Sequence, residues 1–143
     1  MKAKYALRAL CARAQAYPGR VQARLIAAQA KVPEKFLEAI LVELRKAGFV
    51  SSTRGIVGGH ALARPAAETM IGDVIRAVDG PLAPIRCASI SAYEPCADCP
   101  DPERCALRRL MVDVRDAISG VLDRRTLADL AAASMPEEGR QEE

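Results

Sequence analysis

Residues 22–63 carry the pattern that most narrows the fold: two short helices about a tight turn, then a strand, a glycine-rich turn and a second strand. The first helix spans 22–30, with Leu25 and Ile26 facing inward and Arg24 near its start. Lys31-Val32 turns the chain. Pro33 suits the first position of the next helix, where a missing N–H costs nothing. That helix runs to Lys46, with Phe36, Leu37, Ile40, Leu41 and Leu44 gathered on one face, and Gly48 closes it. Residues 49–53 read as a strand, 54–59 as a turn and 60–63 as the returning strand. The helices alone would fit any three-helix bundle; the hairpin behind them makes the segment a winged helix.

Charge says what such a module would face. Residues 1–64 hold twelve Lys/Arg against three Asp/Glu, a balance of +9, whereas residues 65–143 hold nine against fifteen, a balance of −6. A basic half joined to an acidic half points to a polyanion at the first half, double-stranded DNA once the winged helix is counted. The second helix of the pair would then lie in the major groove, with Lys35 and Glu38 at base edges or phosphates and Arg24 and Lys31 nearer the backbone. Arg54, at the hairpin tip, would enter a minor groove or grip phosphate, with Gly55, Gly58 and Gly59 allowing close approach. An ordinary solvated hairpin is the plainer reading of the same residues. His60, the single histidine, reads as a wing-strand side chain.

The flanking segments read as helices. Residues 2–16 put Tyr5, Leu7, Leu10, Cys11 and Ala14 on one side, and Pro18-Gly19 ends the run; Cys11 reads as a small buried hydrophobe. Thr69 can cap a helix over 70–79, stopped by Gly80-Pro81. Asp101-Pro102-Glu103 looks like the start of the longest helix, to about residue 123, which places Cys105 in its first turn. Leu107, Met111, Val114, Ile118 and Val121 follow at four, three, four and three. So wide an apolar seam predicts pairing with a second copy, in competition with packing onto its own winged helix. Thr126 caps a last short helix to Ala133.

Four of the five cysteines, Cys87, Cys96, Cys99 and Cys105, stand within nineteen residues, separated by eight, two and five. Three prolines interrupt the later part of the segment, which has little apolar material to bury, so a metal centre is the expected fastening. No run approaches a membrane span, and the N-terminus opens on a charged amphipathic pattern instead of a signal peptide. In the reducing cytoplasm this predicts, clustered thiols are metal ligands or redox sensors more often than structural disulfides.

The chain resembles the Rrf-type family of bacterial transcription regulators, which includes the iron–sulfur regulators IscR, NsrR and RirA. The matching pieces are 5–10, Phe36-Leu37-Glu38, 44–50, 51–55, Gly58-Gly59, 77–80 and Leu122-Asp123 with 126–130, in order over nearly all residues to about 132. The resemblance implies a homodimer crossing over through the long helix, a winged helix per subunit, a near-palindromic operator, and a cysteine-ligated iron–sulfur cluster that tunes DNA affinity. Cys99 and Cys105 keep one family interval; Cys87 would supply the first ligand across a longer gap. The family's variable fourth ligand falls at Arg108 or Lys4 here, neither able to bind iron, which leaves Cys96 for that role. Four thiolates serve a 2Fe–2S or a 4Fe–4S cluster equally.

Zinc would also accept four thiolates, although structural zinc sites usually pair two short-spaced turns and only Cys96-x-x-Cys99 exists here. A metal-free thiol switch is the third reading. An enzyme is not expected, because a cysteine nucleophile wants a histidine partner and His60 lies in the wing. The expected layout is mostly α with a small β-hairpin wing. A winged-helix DNA-binding domain occupies 1–80, a cysteine-rich cofactor loop 81–104, a dimerisation helix with a short C-terminal helix 102–133, and a disordered tail 134–143.

Overall fold

The computed structural model describes residues 2–14, 19–97 and 101–133. The elements in order are α1 (Lys2–Ala14), α2 (Ala23–Ala30), α3 (Glu34–Lys46), β1 (Val50–Thr53), β2 (Gly59–Leu62), α4 (Ile71–Asp79), α5 (Ala106–Leu122) and α6 (Leu127–Ala133). Short 3₁₀ turns lie at Ala66–Glu68, Arg86–Ala88 and Pro102–Arg104. The strands pair antiparallel, Val50 opposite Leu62 and Thr53 opposite Gly59. Val21 forms a further antiparallel bridge to His60, with N–H···O distances of 3.2 and 2.7 Å, and so pins the wing to the approach to α2.

The core gathers on α1, which touches α2, α3, α4 and α6. Ala3, Ala6 and Ala9 keep its buried face thin enough for those neighbours to close in, and Leu10 fills the gap they leave. Leu37 and Leu44 of α3, Ile26 of α2, Val74 of α4 and Leu127 of α6 complete the interior. Each such side chain contributes about 2–3 kcal/mol by leaving water. α6 therefore shares the core of the winged helix. Its return is fastened where Ile71 N donates to Arg125 O at 2.9 Å and Leu127 N to Thr69 O at 2.8 Å. Thr126 caps α6 as predicted: its hydroxyl accepts from Asp129 N at 3.1 Å while the Asp129 carboxylate accepts from Thr126 N at 2.9 Å.

Several local expectations need correction. Phe36 is 57% exposed and stacks beside Tyr5, with ring centroids 6.4 Å apart. Successive helical residues point about 100° apart, so once Leu37, Ile40, Leu41 and Leu44 turn inward Phe36 falls on the flank. Leu25 is exposed as well, because eight residues present one narrow face and Ile26 occupies it. Pro33 is the N-cap of α3, one position ahead of the first helical position predicted for it. Thr69 does not cap α4; Met70 holds that position, and the Thr69 hydroxyl donates to Pro65 O at 3.4 Å. The long helix starts at Ala106, since Asp101 caps only the turn Pro102–Arg104 and Cys105 begins the helix afresh. The predicted end of the first helix at 15–18 and the tail 134–143 lie outside the described residues.

Candidate nucleic-acid interface and cysteine segment

α3 presents Lys35, Glu38 and Val42 to solvent, with Arg45 and Lys46 in its last turn. Arg24 and Lys31 are exposed on α2 and on the turn behind it, and Arg54 and Gly55 at the wing tip. These exposed cations and Glu38 belong to the recognition unit the sequence predicts. Gly58 and Gly59 do not share that exposure: both are buried. A Cβ at Gly58 would run into the Thr53 carbonyl oxygen, and one at Gly59 into the Val21 backbone, at a φ of +140°. Their missing side chains let the wing fold on itself, so an approaching DNA backbone is not what requires them. Beside Arg54, Ile56 and Val57 are 97% and 91% exposed. Arg45 is exposed in the last turn of α3 and is not among the predicted residues. Burial first, and the Arg45 charge next, push His60 below the ordinary histidine pKa, and His60 Nδ1 shares a 2.7 Å hydrogen bond with Ser52 Oγ.

The cysteines occupy unlike surroundings. Cys87 is buried in the turn Arg86–Ala88, Cys105 is half-buried at the start of α5, Cys96 is exposed, and Cys99 lies outside the described residues. Arg108 and Arg115 fasten the Cys87 turn to α5. Arg108 Nε donates to Cys87 O at 2.8 Å, and Arg115 Nη1 donates to Ala88 O at 2.7 Å. Arg86 closes the following loop through Glu94 at 2.6 Å. The Cys105 sulfur accepts the Arg108 backbone N–H at 3.4 Å, at the start of α5. Cysteine sulfur is a soft donor, and such a donor set fits an iron–sulfur or zinc centre chemically. Among the described residues, however, no three of His, Cys, Asp and Glu gather closely enough to hold one ion. Sequence spacing gave no hint of Arg108 and Arg115 as tethers; their guanidinium groups reach across 21 and 27 positions.

α5 has no buried residue. Leu107 and Val121 are each 55% exposed, Val114 is exposed, and Met111 and Ile118 are half-covered. At the helix end, Arg76 of α4 grips Asp123 through two 2.7 Å hydrogen bonds. The hydrogen bond from Arg76 holds the Asp123 carboxyl below its ordinary pKa. No described helix is long and apolar enough to cross a membrane.

Residues 1–133 match the family model described as "Rrf2: Iron-dependent Transcriptional regulator". An rrf2-like HTH-type transcriptional regulator of Rhodobacter capsulatus is 40% identical over 139 residues, which cover 94% of this chain and 93% of the relative. Among solved structures, CymR, the global cysteine regulator of B. subtilis, superposes with a TM-score of 0.74 at 33% identity, covering 94% of this chain and 96% of that one. IscR of T. potens gives a TM-score of 0.74 at 29% identity, covering 99% and 91%.

Proposed function

This chain belongs to the Rrf2 family of transcriptional regulators, and from that premise we propose a homodimer whose operator affinity follows the state of an iron–sulfur centre held by Cys87, Cys96, Cys99 and Cys105. The observation that carries the reading is the double fastening of the Cys87 turn to α5 by Arg108 and Arg115. A centre of this kind supplies an inorganic core whose charge and integrity respond to oxidants, nitric oxide and iron supply.

The chain's own residues do the rest. Arg108 and Arg115 hold one end of the cysteine segment against α5, while Cys105 begins that helix. α5 offers Leu107, Met111, Val114, Ile118 and Val121 to the same helix of a second copy. Asp123 at its far end is clamped by Arg76 to α4, whose Val74 and Val78 sit in the core under α3. A change of order in the cysteine segment thereby bears on the spacing of two α3 helices, each presenting Lys35 and Glu38 to a major groove. Arg24 and Lys31 meet the DNA backbone, and Arg54 the neighbouring minor groove. Gly55, at the wing tip, leaves room for the approach; Gly58 and Gly59 serve the wing's own fold.

Anaerobic purification followed by an absorption spectrum and iron, sulfide and zinc analysis tests the cofactor. Visible absorbance with iron and sulfide together supports the cluster, and stoichiometric zinc without iron replaces it with a structural zinc site. A metal-free thiol switch is the second reading. It is favoured by the likeness to CymR, whose Staphylococcus aureus relative has also been solved in an oxidized form. A colourless protein indifferent to added iron and sulfide, with DNA affinity that changes on oxidation, would establish it. Operator affinity that falls steeply with salt separates a DNA regulator from a protein-binding module.

A further inference from the structure

A groove between α1, the end of α2 and α6 shares only Lys31 with the functions above. It measures about 700 Å³, within the range of small-molecule sites. Leu7, Cys11 and Leu130 line its apolar side; Arg8, Arg13 and Lys31 make it cationic, and no acidic residue lines it among those described. Arg13 is the unusual member. It is only 5% exposed, Nη2 donates to Gly19 O at 3.0 Å, and Nε meets no acceptor. Among the described residues no carboxylate pairs with this guanidinium, and burial draws its pKa down. A buried cation without a counter-charge is costly to keep, and an anion arriving in the groove would supply that charge.

We propose that this groove binds a small organic carboxylate, its charged end on Arg13 and its apolar body between Leu7 and Leu130. Lys31 joins the site to the recognition unit. It caps α2 in the left-handed region, φ 55°, a conformation unusual outside glycine, and it stands in the turn that aims α3. Occupancy of the groove therefore bears on that turn. The coupling to DNA rests on the regulator reading; the binding does not.

The test is calorimetric titration of the full-length, metal-free protein with hexanoate and with hexanamide. Hexanoate should bind saturably, about tenfold or more tighter than the amide, and should slow alkylation of Cys11 as read by peptide mapping. Arg13→Gln should weaken it about tenfold. If that variant does not fold, Ala30→Phe, which narrows the groove and leaves the buried charge alone, should abolish binding. No binding, equal binding of the amide, or indifference to the substitutions overturns the proposal. Binding that appears only after Glu137, Glu138, Glu142 and Glu143 are changed to Gln would identify the chain's own terminus as the occupant and overturn it too. Operator affinity unchanged by hexanoate overturns the coupling alone.

Discussion

Arg108 Nε donates to the Cys87 carbonyl oxygen across 2.8 Å, while the same residue's backbone N–H meets Cys105 Sγ at 3.4 Å. One residue of α5 thus touches both outer cysteines of the segment, from the position where the resemblance places another relative's fourth ligand. Removing its side chain should loosen Cys87 without melting α5. In metal-free protein, Arg108→Ala is expected to speed alkylation of Cys87 about tenfold, the worth of one partly exposed charged hydrogen bond, with an unchanged helical circular dichroism signal. An unchanged rate would mean that packing alone protects Cys87.

The Arg76–Asp123 pair ties the end of α5 to α4, and its effect should depend on pH. Because Asp123 is held below its ordinary pKa by the hydrogen bond from Arg76, its contribution is fully present above about pH 4 and is lost as pH falls through the depressed folded value. Asp123→Asn should cost about 0.5–1 kcal/mol at pH 7, reduced by the exposure of both partners. Urea unfolding should show the gap to wild type closing as the solution is acidified below pH 4. A gap that persists in acid would assign the loss to packing.

Two wing substitutions should separate contact from construction. Arg54→Ala, exposed at the tip, should weaken operator binding, lower the salt slope by about one unit and leave the melting temperature within a degree or two, as surface changes do. Gly58→Ala puts a methyl group against the Thr53 carbonyl and should destabilise by about 1–3 kcal/mol. Fluorescence anisotropy on operator DNA together with thermal melts reads both. Equal stability in the two variants would contradict the crowding seen at Gly58.

Charges on the open face of α5 should break a dimer and spare the monomer fold, because neither Leu107 nor Val121 is buried in one chain. Leu107→Glu with Val121→Glu is expected to turn a dimeric sedimentation profile monomeric and to weaken operator binding. A monomeric wild type would remove the homodimer from the proposal.

The winged helix was legible in sequence because its signals are local. The stripe of α3 and the hairpin's glycine turn each follow from spacing within a few residues, and the Thr126–Asp129 cap needs only two positions three apart. The exposed Lys35, Glu38 and Arg54 followed from the same periodicities. Phe36 and Leu25 went astray because a periodicity names a face without saying how much of it a neighbour covers. Gly58 and Gly59 look alike in sequence whether they receive DNA or the chain's own backbone.

By itself the sequence determined the order of elements, the basic first half and the set of thiols, since propensity, charge and spacing are properties of the chain alone. Tertiary structure decided which of those groups meet. The ties from Arg108 to Cys87, Arg115 to Ala88 and Arg76 to Asp123 join residues more than twenty positions apart. The physical reason is reach: a guanidinium at the end of a long side chain finds its partner through the packing of whole helices, which no local pattern encodes.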